Sequence, residues 1–536
     1  FEAVGLTFRI ESLATVLFER MIAQQELRYV TKSTLRKVTG WLRLMLRAIR
    51  IDGCMGRAIS TGISMLDQAL LAEGVSVDQY VNIFQSISHA VEKVIRIRFL
   101  DVYETILDRV LQGMLRRGLL QTDAGSDPEE TILKVSEGFL RDLIARSFAL
   151  QQLDGLVGKV LQSLQEGRER FDRDTLNVLM TYDADRCFAA IDGKLGPLDG
   201  AIYLGNKGYM IKRLAREGIS VPHGFIITTE FFRCLEAIRS CDELQHDVIQ
   251  QLHKQIARLE RVTGARFGDP GNPLLLSVRS SASISMPGVL DTFLNVGLSE
   301  EVASGFAARS GSPWGAWDAY RRFLQFWGMA HGVDRDVFDA MMRDAKQEFG
   351  VEKKSHMPDE AMKALALRYR QLVLDYDVKV TDDPYEQLTT CMDLVLDSWH
   401  SEKSRIYRKE TQIAEEWGTS VIVQCMVYGN LNDRSGTGVT LTCDPRHTAG
   451  DVRLYGDFIV QGQGEDVVSG LVDTFPISEE QRLSQATSAP MSLEKDLPRI
   501  YEALHGHART LIYDQGMYHQ EIEFTFESDD PADLYI

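Results

Sequence analysis

Proline is nearly absent from the first third of this sequence. Of 14 prolines in 536 residues, the first is Pro128 and the second is Pro197. Apolar residues recur in that region at helical spacing, as in the stretch from Ile83 to Ile95. Because proline breaks helices, its absence together with this periodicity predicts an all-α domain over residues 1–190.

Cysteine is also scarce, and its spacing lacks pairs. The seven cysteines include no C-x-x-C arrangement, which argues against a zinc site or a disulfide framework and favours thiols in a reducing cytoplasm. The sequence shows no secretory signal and no apolar run long enough to cross a bilayer, so no membrane partner is expected.

Positive charge is in deficit. Lys and Arg number 59 against 77 Asp and Glu, a net charge of −18. A sequence-independent nucleic-acid binder needs a cationic surface, so no nucleic-acid partner is expected. A nucleotide remains possible because one local cluster of cations is enough to bind it.

The length and the change of texture after Pro197 indicate several domains. A single core rarely grows beyond ~250–300 residues. Short β-type runs then alternate with helical stretches, which predicts an α+β region with a helical insertion. The predicted boundaries are 191–312, 313–415 for the insertion, and 416–536. Since the chain starts at Phe1 and stops within a predicted strand, we expect a piece of a longer protein, of open oligomeric state.

Two clusters could supply cations to a phosphate. LGNKG (204–208) places Lys207 between glycines, which let a backbone approach a ligand closely. LLLSVRSS (274–281) runs a buried strand into Arg279, which can bind phosphate oxygens through its forked guanidinium. Read alone, the first could equally be a turn with a solvated lysine and the second a surface salt bridge.

Two further segments complete a nucleotide inventory. SVIVQCMV (420–427) could present backbone groups and Gln424 to an adenine edge, although an ordinary hairpin with a long loop explains it as well. In QEIEFTFE (520–527), strand period places Glu521 and Glu523 on one face and Ile522 on the other. Paired carboxylates can bind magnesium, but a solvated edge strand is the common alternative.

These segments together resemble one family. LGNKGYMIKRLAREGISVPHGFIITTEFF (204–232), LLLSVRSSASISMPGVLDTFLNVGL (274–298), VIVQCMVYGNLNDRSGTGVTLTCDP (421–445) and EIEF (521–524) resemble, in order, the ATP-binding domain of pyruvate phosphate dikinase and phosphoenolpyruvate synthase. Several segments in one order are more specific than any single motif. The resemblance covers roughly residues 195–536 and implies an ATP-grasp fold behind an additional helical domain.

The resemblance implies a site for ATP and Mg2+. Lys207 and Arg279 match the family's phosphate-binding cations, while Gly288 and Thr292 match its phosphate loop. With Glu523, these two cations are the expected catalytic residues.

The remaining residues match the ends of the expected nucleotide. Gln424 and Met426 fall on the adenine-binding strand. Glu523 matches an acidic ligand near magnesium, and Glu521 lies where a second carboxylate is expected.

Some positions depart from the family pattern. The chain ends at Ile536, just before a Leu-Gln-Thr-Arg segment whose Gln and Arg contact ATP in the family. Gly470-Leu471-Val472 replaces the Gly-Ile-Arg of dikinases, and Ser283 replaces a common arginine. None of the 11 histidines resembles the phosphohistidine motif, so that domain and the pyruvate-binding barrel are expected elsewhere.

The implied function is phosphoryl transfer from ATP to a histidine of a downstream domain and on to pyruvate, forming phosphoenolpyruvate and AMP. This piece alone is expected to be incomplete for turnover. Two alternatives stay open: an ATP-grasp phosphotransferase with a glucan or antibiotic acceptor, and a non-catalytic nucleotide sensor whose helical domain binds a partner.

Overall fold

A computed structural model divides the chain into two units, each with its own core. The first comprises Phe1–Ala184 with Cys234–Val248, and the second comprises Asp185–Arg233 with Ile249–Ile536. The structure describes residues 13–20, 22, 30–51, 53, 56–72, 75–120, 127–145, 147, 149–193, 199–286, 288–447, 451–468, 473–484 and 489–536.

Helices and strands are numbered separately. The α-helices of the described residues are α1 (Lys32–Ile51), α2 (Arg57–Leu71), α3 (Val77–Ile95), α4 (Asp101–Arg116), α5 (Pro128–Ala145), α6 (Leu150–Arg170), α7 (Arg173–Thr181), α8 (Ala184–Cys187), α9 (Ala201–Arg216), α10 (Thr229–Arg233), α11 (Leu235–Ser240), α12 (Asp242–Thr263), α13 (Glu300–Ser310), α14 (Pro313–Ala330), α15 (Arg335–Glu348), α16 (Asp359–Asp375), α17 (Pro384–Ser398), α18 (Glu402–Thr411), α19 (Gly464–Val468), α20 (Glu479–Ser484), α21 (Leu493–Asp496) and α22 (Pro498–Arg509). The strands are β1 (Phe188–Ala190), β2 (Gly224–Ile227), β3 (Arg266–Phe267), β4 (Pro273–Leu274), β5 (Leu276–Ala282), β6 (Thr292–Val296), β7 (Thr419–Cys425), β8 (Gly436–Leu441), β9 (Tyr455–Val460), β10 (Phe475–Pro476), β11 (Glu521–Phe526) and β12 (Leu534–Tyr535).

The first unit is helical throughout its described part, as predicted. Helix α3 begins with a capping box, in which Ser76 and Gln79 satisfy each other's backbone N–H groups. Its apolar stripe, including Phe84 and Ile87, is buried against α2 and α6, in a core to which α1 also contributes. Burial of such a stripe supplies most of the stability of packed helices. No helix among the described residues of either unit is long and apolar enough to cross a membrane.

The second unit contains two five-stranded antiparallel sheets. The first sheet has the order β1-β2-β7-β5-β6, and the second has the order β10-β9-β8-β11-β12. Strands β3 and β4 form a separate parallel pair. This mixture of helices and sheets confirms the predicted α+β class.

The sheets give a different division of the chain from the predicted boundaries. Strand β1 pairs with β2 before residue 191, because Phe188 to Ala190 lie opposite Ile227 to Phe225. Strand β7 joins the first sheet although it lies beyond residue 415, and β8 joins the second. The hairpin interpretation of this segment is therefore wrong: the loop after β7 connects two sheets. Between Pro313 and Thr411 the regular elements are helical, in agreement with the predicted insertion.

Candidate functional site

Helix α9 is interrupted at Gly205, just before Lys207. Gly205 has φ 69° and ψ 166°, a conformation that side-chain-bearing residues avoid. A Cβ there would also lie 1.9 Å from the carbonyl oxygen of Ser281. The break therefore requires glycine. Gly218 ends the helix with φ 76°, and the N–H of Ile219 donates to the carbonyl of Leu214 at 3.1 Å.

Two serines hold this break against the first sheet. The hydroxyl of Ser281 on β5 accepts the N–H of Gly208 at 3.1 Å. The hydroxyl of Ser420 on β7 lies 2.6 Å from the carbonyl of Leu204 and 2.8 Å from that of Ser281. The sequence analysis gave neither serine a role, although Ser281 belongs to the quoted VRSS segment.

The first sheet brings Arg279, Thr292 and Gln424 onto neighbouring strands. Arg279 on β5 lies opposite Thr292 on β6 and Ile422 on β7. Gln424 lies two residues further along β7 and therefore on the same face as Ile422. Its side chain is buried and donates to the carbonyl of Pro222 at 3.1 Å. Thr292 is thus the first residue of a strand, which the sequence analysis did not predict.

The predicted phosphate loop is supported by the helical insertion. Gly288 has φ 66°, with open space where a Cβ would project, and its carbonyl accepts a bond from Lys403 of α18. The N–H of Asp291 donates to the hydroxyl of Ser398 at 3.4 Å. Burial raises the pKa of Asp291, and the charge of Lys403 partly offsets this effect. Pro287 lies outside the described residues.

Met426 follows β7 directly. Its N–H donates to the carbonyl of Leu275 at 2.8 Å, which extends the pairing between β7 and the β5 side of the sheet. Burial raises the pKa of the neighbouring Cys425 thiol to about 12. This thiol therefore stays protonated at neutral pH.

The acidic strand alternates as predicted. On β11, Glu521 and Glu523 are exposed, while Ile522, Phe524 and Phe526 are buried. Strand β11 pairs with β8 along its whole length but with β12 only at Thr525 and Phe526. The two exposed carboxylates are about 7 Å apart along the strand. An oxygen-only donor pair on one face fits magnesium.

Lys207 and Glu523 meet although they come from different parts of the second unit. The Lys207 Nζ lies 3.7 Å from a Glu523 Oε2, and both side chains are about half exposed or more. Thus the cation beside the first sheet and the carboxylate of the second sheet reach the same space. By contrast, the hydrogen bonds described for Gly288 and Met426 involve Lys403 and Leu275, not other predicted site residues.

The sequence analysis missed a buried charged cluster. Asp318 of α14 accepts bonds from Arg321 (2.8 Å), Arg322 (2.9 Å) and Lys354 (3.2 Å). Arg322 also binds Asp466 of α19 at 2.6 Å. The cluster joins the helical insertion to α19. The D-x-x-R-R spacing on one helix was the available signal, because residues three and four apart face the same way.

A second polar group lies outside the predicted site. Ligand atoms of Asp444, His447 and Glu480 lie within 4.8 Å of one another, the one such group of three among the residues that the structure describes. Hydrogen bonds from Arg446 lower the pKa of Asp444 to about 2. Arg446 thus already neutralises this carboxylate, and the group is explained as an ion-pair network.

A three-residue segment that differs from the pattern of dikinases has no described structure. Gly470-Leu471-Val472 lies outside the described residues.

Part of the chain is similar to a known family and to several known proteins. Residues 242–507 match the family model described as pyruvate phosphate dikinase, AMP/ATP-binding domain. Pyruvate, phosphate dikinase of Rickettsia conorii is 36% identical over 326 residues, which are 61% of this chain and 36% of the relative.

Pyruvate, phosphate dikinases of two other organisms are similar to this chain to a comparable degree. The chloroplastic pyruvate, phosphate dikinase of Flaveria pringlei is 39% identical over 278 residues, which are 52% of this chain and 29% of the relative. That of Clostridium symbiosum is 34% identical over 334 residues, which are 60% and 35% of the two chains. The chain therefore spans about a third of the length of the curated relatives that it matches. The resemblance stated from the sequence motifs is confirmed.

Proposed function

We propose that this chain carries the AMP/ATP-binding domain of the pyruvate phosphate dikinase family and that it binds magnesium-ATP between its two five-stranded sheets for phosphoryl transfer. The observation that carries the proposal is the approach of Lys207 to Glu523 at 3.7 Å. A cation and a carboxylate from opposite sides of one space suit a ligand that combines phosphates with a metal ion.

In this proposal, the first sheet holds the nucleotide. Lys207 and Arg279 neutralise the phosphates, and Arg279 can do so through two parallel bonds. The backbone of Gly288 and the hydroxyl of Thr292 orient the phosphates, while Gln424 and Met426 border the adenine. The support is the register that places Arg279, Thr292 and Gln424 on adjacent strands.

The second sheet completes the site. Glu523 and Glu521 would hold the magnesium ion, which would supply positive charge to offset that of the phosphates. Catalysis by Lys207, Arg279 and Glu523 then consists of positioning and charge neutralisation, without covalent participation of these side chains.

For the whole protein, we propose transfer of the ATP β-phosphoryl group to a histidine of a further domain and then to pyruvate. The products are AMP, phosphoenolpyruvate and the γ-phosphoryl group of ATP, which leaves as pyrophosphate if inorganic phosphate accepts it or as phosphate if water does. The support is the similarity to these relatives, which are pyruvate, phosphate dikinases.

The cation role is tested by Arg279→Ala in the full-length protein. Loss of one preorganised donor should cost ~2–4 kcal/mol of transition-state stabilisation, a fall of roughly 30-fold or more in kcat/KM for ATP. Arg335→Ala is the matched control, because Arg335 is an exposed cation 3.5 Å from Asp339 on the surface. Turnover of Arg279→Ala near that of the control would count against the assignment.

The acceptor is tested by phosphorus NMR of the full-length protein with ATP, magnesium and pyruvate, with and without inorganic phosphate. AMP and phosphoenolpyruvate are expected, and a requirement for phosphate would distinguish a dikinase from a synthase. If ATP stays unchanged, the pyruvate proposal is wrong and another acceptor or a nucleotide sensor gains support.

A further inference from the structure

Glu527 follows β11 directly and continues the alternation of Glu521 and Glu523, but its environment differs. Its side chain is partly buried, whereas the other two are exposed. Its Oε1 accepts the backbone N–H of Tyr428 at 2.9 Å. Burial raises the pKa of Glu527, although the bond from Tyr428 opposes this shift. The Glu527 carboxylate is thus partly removed from water, and it accepts a hydrogen bond from a backbone N–H.

Tyr428 belongs to the segment that leaves the proposed adenine strand. It follows β7 by three residues and Met426 by two. Its side chain is buried, and its hydroxyl lies 3.3 Å from the Oδ1 of Asn295 on β6. The tyrosine is therefore fixed to the first sheet by its side chain and to β11 of the second sheet by its backbone.

A second bond repeats this connection. The side-chain amide of Asn432, in the same inter-sheet segment, donates to the backbone carbonyl of Glu527 at 3.2 Å. Glu527 therefore accepts hydrogen bonds from this segment through both its side chain and its backbone carbonyl. Glu523, on β11, lies four residues before Glu527, about 13 Å away along the extended chain. An extended, paired strand transmits a displacement over that distance with little bending.

We propose that Glu527 is a positioning residue that couples the adenine-binding end of β7 to the metal-binding carboxylates of β11. The inference rests on the proposed function of the site. Glu527 touches neither the nucleotide nor the metal in this scheme. It sets the separation between the adenine contacts and Glu523, so that one nucleotide can reach both. Adenosine needs only the first set of contacts, whereas magnesium-ATP needs both at a fixed spacing.

The test compares Glu527→Ala with Glu527→Gln by titration calorimetry. Glutamine keeps an oxygen that can accept the Tyr428 N–H, so its affinities should stay within about twofold of the wild type. Alanine leaves that N–H without its acceptor, and its affinity for magnesium-ATP should fall about tenfold. Its affinity for adenosine should change less than twofold, and the Tyr428 amide should exchange hydrogen faster. Should Glu527→Ala not fold, Glu527→Asp, which withdraws the carboxylate by one methylene, carries the same expectation.

Each outcome decides between the two ideas. Wild-type protein that binds magnesium-ATP, with an alanine variant that binds it equally well, overturns the coupling role and leaves the proposed function standing. Equal losses for adenosine and magnesium-ATP also overturn the coupling, since Glu527 would then support only the adenine contacts. Wild-type protein that does not bind magnesium-ATP overturns the proposed function and, with it, this inference.

Discussion

Among single residues, Asp318 has the most demanding environment. It is fully buried, and three cations surround its carboxylate. Burial alone would raise the pKa of Asp318, but Arg322, Lys354 and Arg321 hold it well below its ordinary value. Desolvation of such ions is costly, so the cluster is stable only when its charges remain matched.

We expect Asp318→Asn to destabilise the second unit by about 3–5 kcal/mol, because it leaves buried cations without their counter-charge. Urea unfolding measures the loss as a lower midpoint. The control is Asp339→Asn, which removes an exposed partner of Arg335 and should cost less than about 1 kcal/mol. A midpoint of Asp318→Asn equal to that of the control would refute the importance of the cluster.

The same residue gives a pH expectation. Because the folded pKa of Asp318 is depressed, its contribution is fully present above the unfolded pKa of ~4. It is lost as the pH falls through the folded pKa. Acid unfolding of the wild type should therefore be steeper than that of Asp318→Asn.

Some residues of the candidate site are placed by local backbone geometry, and others are placed by contacts between segments distant in the sequence. Strand period alone predicted that Glu523 is exposed and Ile522 buried, because alternation is a local property. The roles of Ser281 and Ser420 could not be predicted, because their bonds join segments 73 to 216 residues apart. The approach of Lys207 to Glu523 likewise depends on tertiary folding.

At the scale of elements, the break in α9 determines how the Lys207 segment meets the first sheet. The glycine at position 205 allows the backbone to pass against the carbonyl of Ser281, and any Cβ would collide with it. The two parts of the helix then lie on either side of a fixed turn. The position of Lys207 is set by this turn.

Gly205→Ala should therefore displace the Lys207 segment and weaken magnesium-ATP binding about tenfold or more, since backbone atoms must move to relieve a 1.9 Å contact. Calorimetry of the purified variant measures this. Gly200→Ala is the matched control, because Gly200 caps the same helix at φ −100° and has no atom within 4 Å of an added Cβ. Equal affinities for the two variants would show that the turn is not needed.

Elements were predictable where their pattern was strong. Strands β5, β7 and β11 overlap the segments 274–281, 420–427 and 520–527, where the sequence indicated strands. Strands β1 and β6 were missed because each lies beside residues of turn or helix character. The separation of β7 and β8 into two sheets was missed because it depends on which partner each strand finds.

At the scale of the whole molecule, the chain has two units with separate cores. The first core is built from helices between Val30 and Met180, while the residues of the candidate site belong to the second unit. A ligand stabilises only the part of a protein whose native state it binds. The two units should therefore respond differently to a nucleotide.

We expect calorimetric unfolding to show two transitions. Magnesium-ATP should raise the midpoint temperature of only the transition that belongs to the second unit. At a ligand concentration 100 times Kd, the stabilisation is about 2.7 kcal/mol. Arg279→Ala should reduce the rise, and its first-unit transition should stay unchanged. A single transition that moves as a whole would show that the units unfold together, so that stability gained at the nucleotide site is shared with the helical unit. If magnesium-ATP leaves the midpoint temperatures of both transitions unchanged, the basis for placing ATP in the second unit is removed.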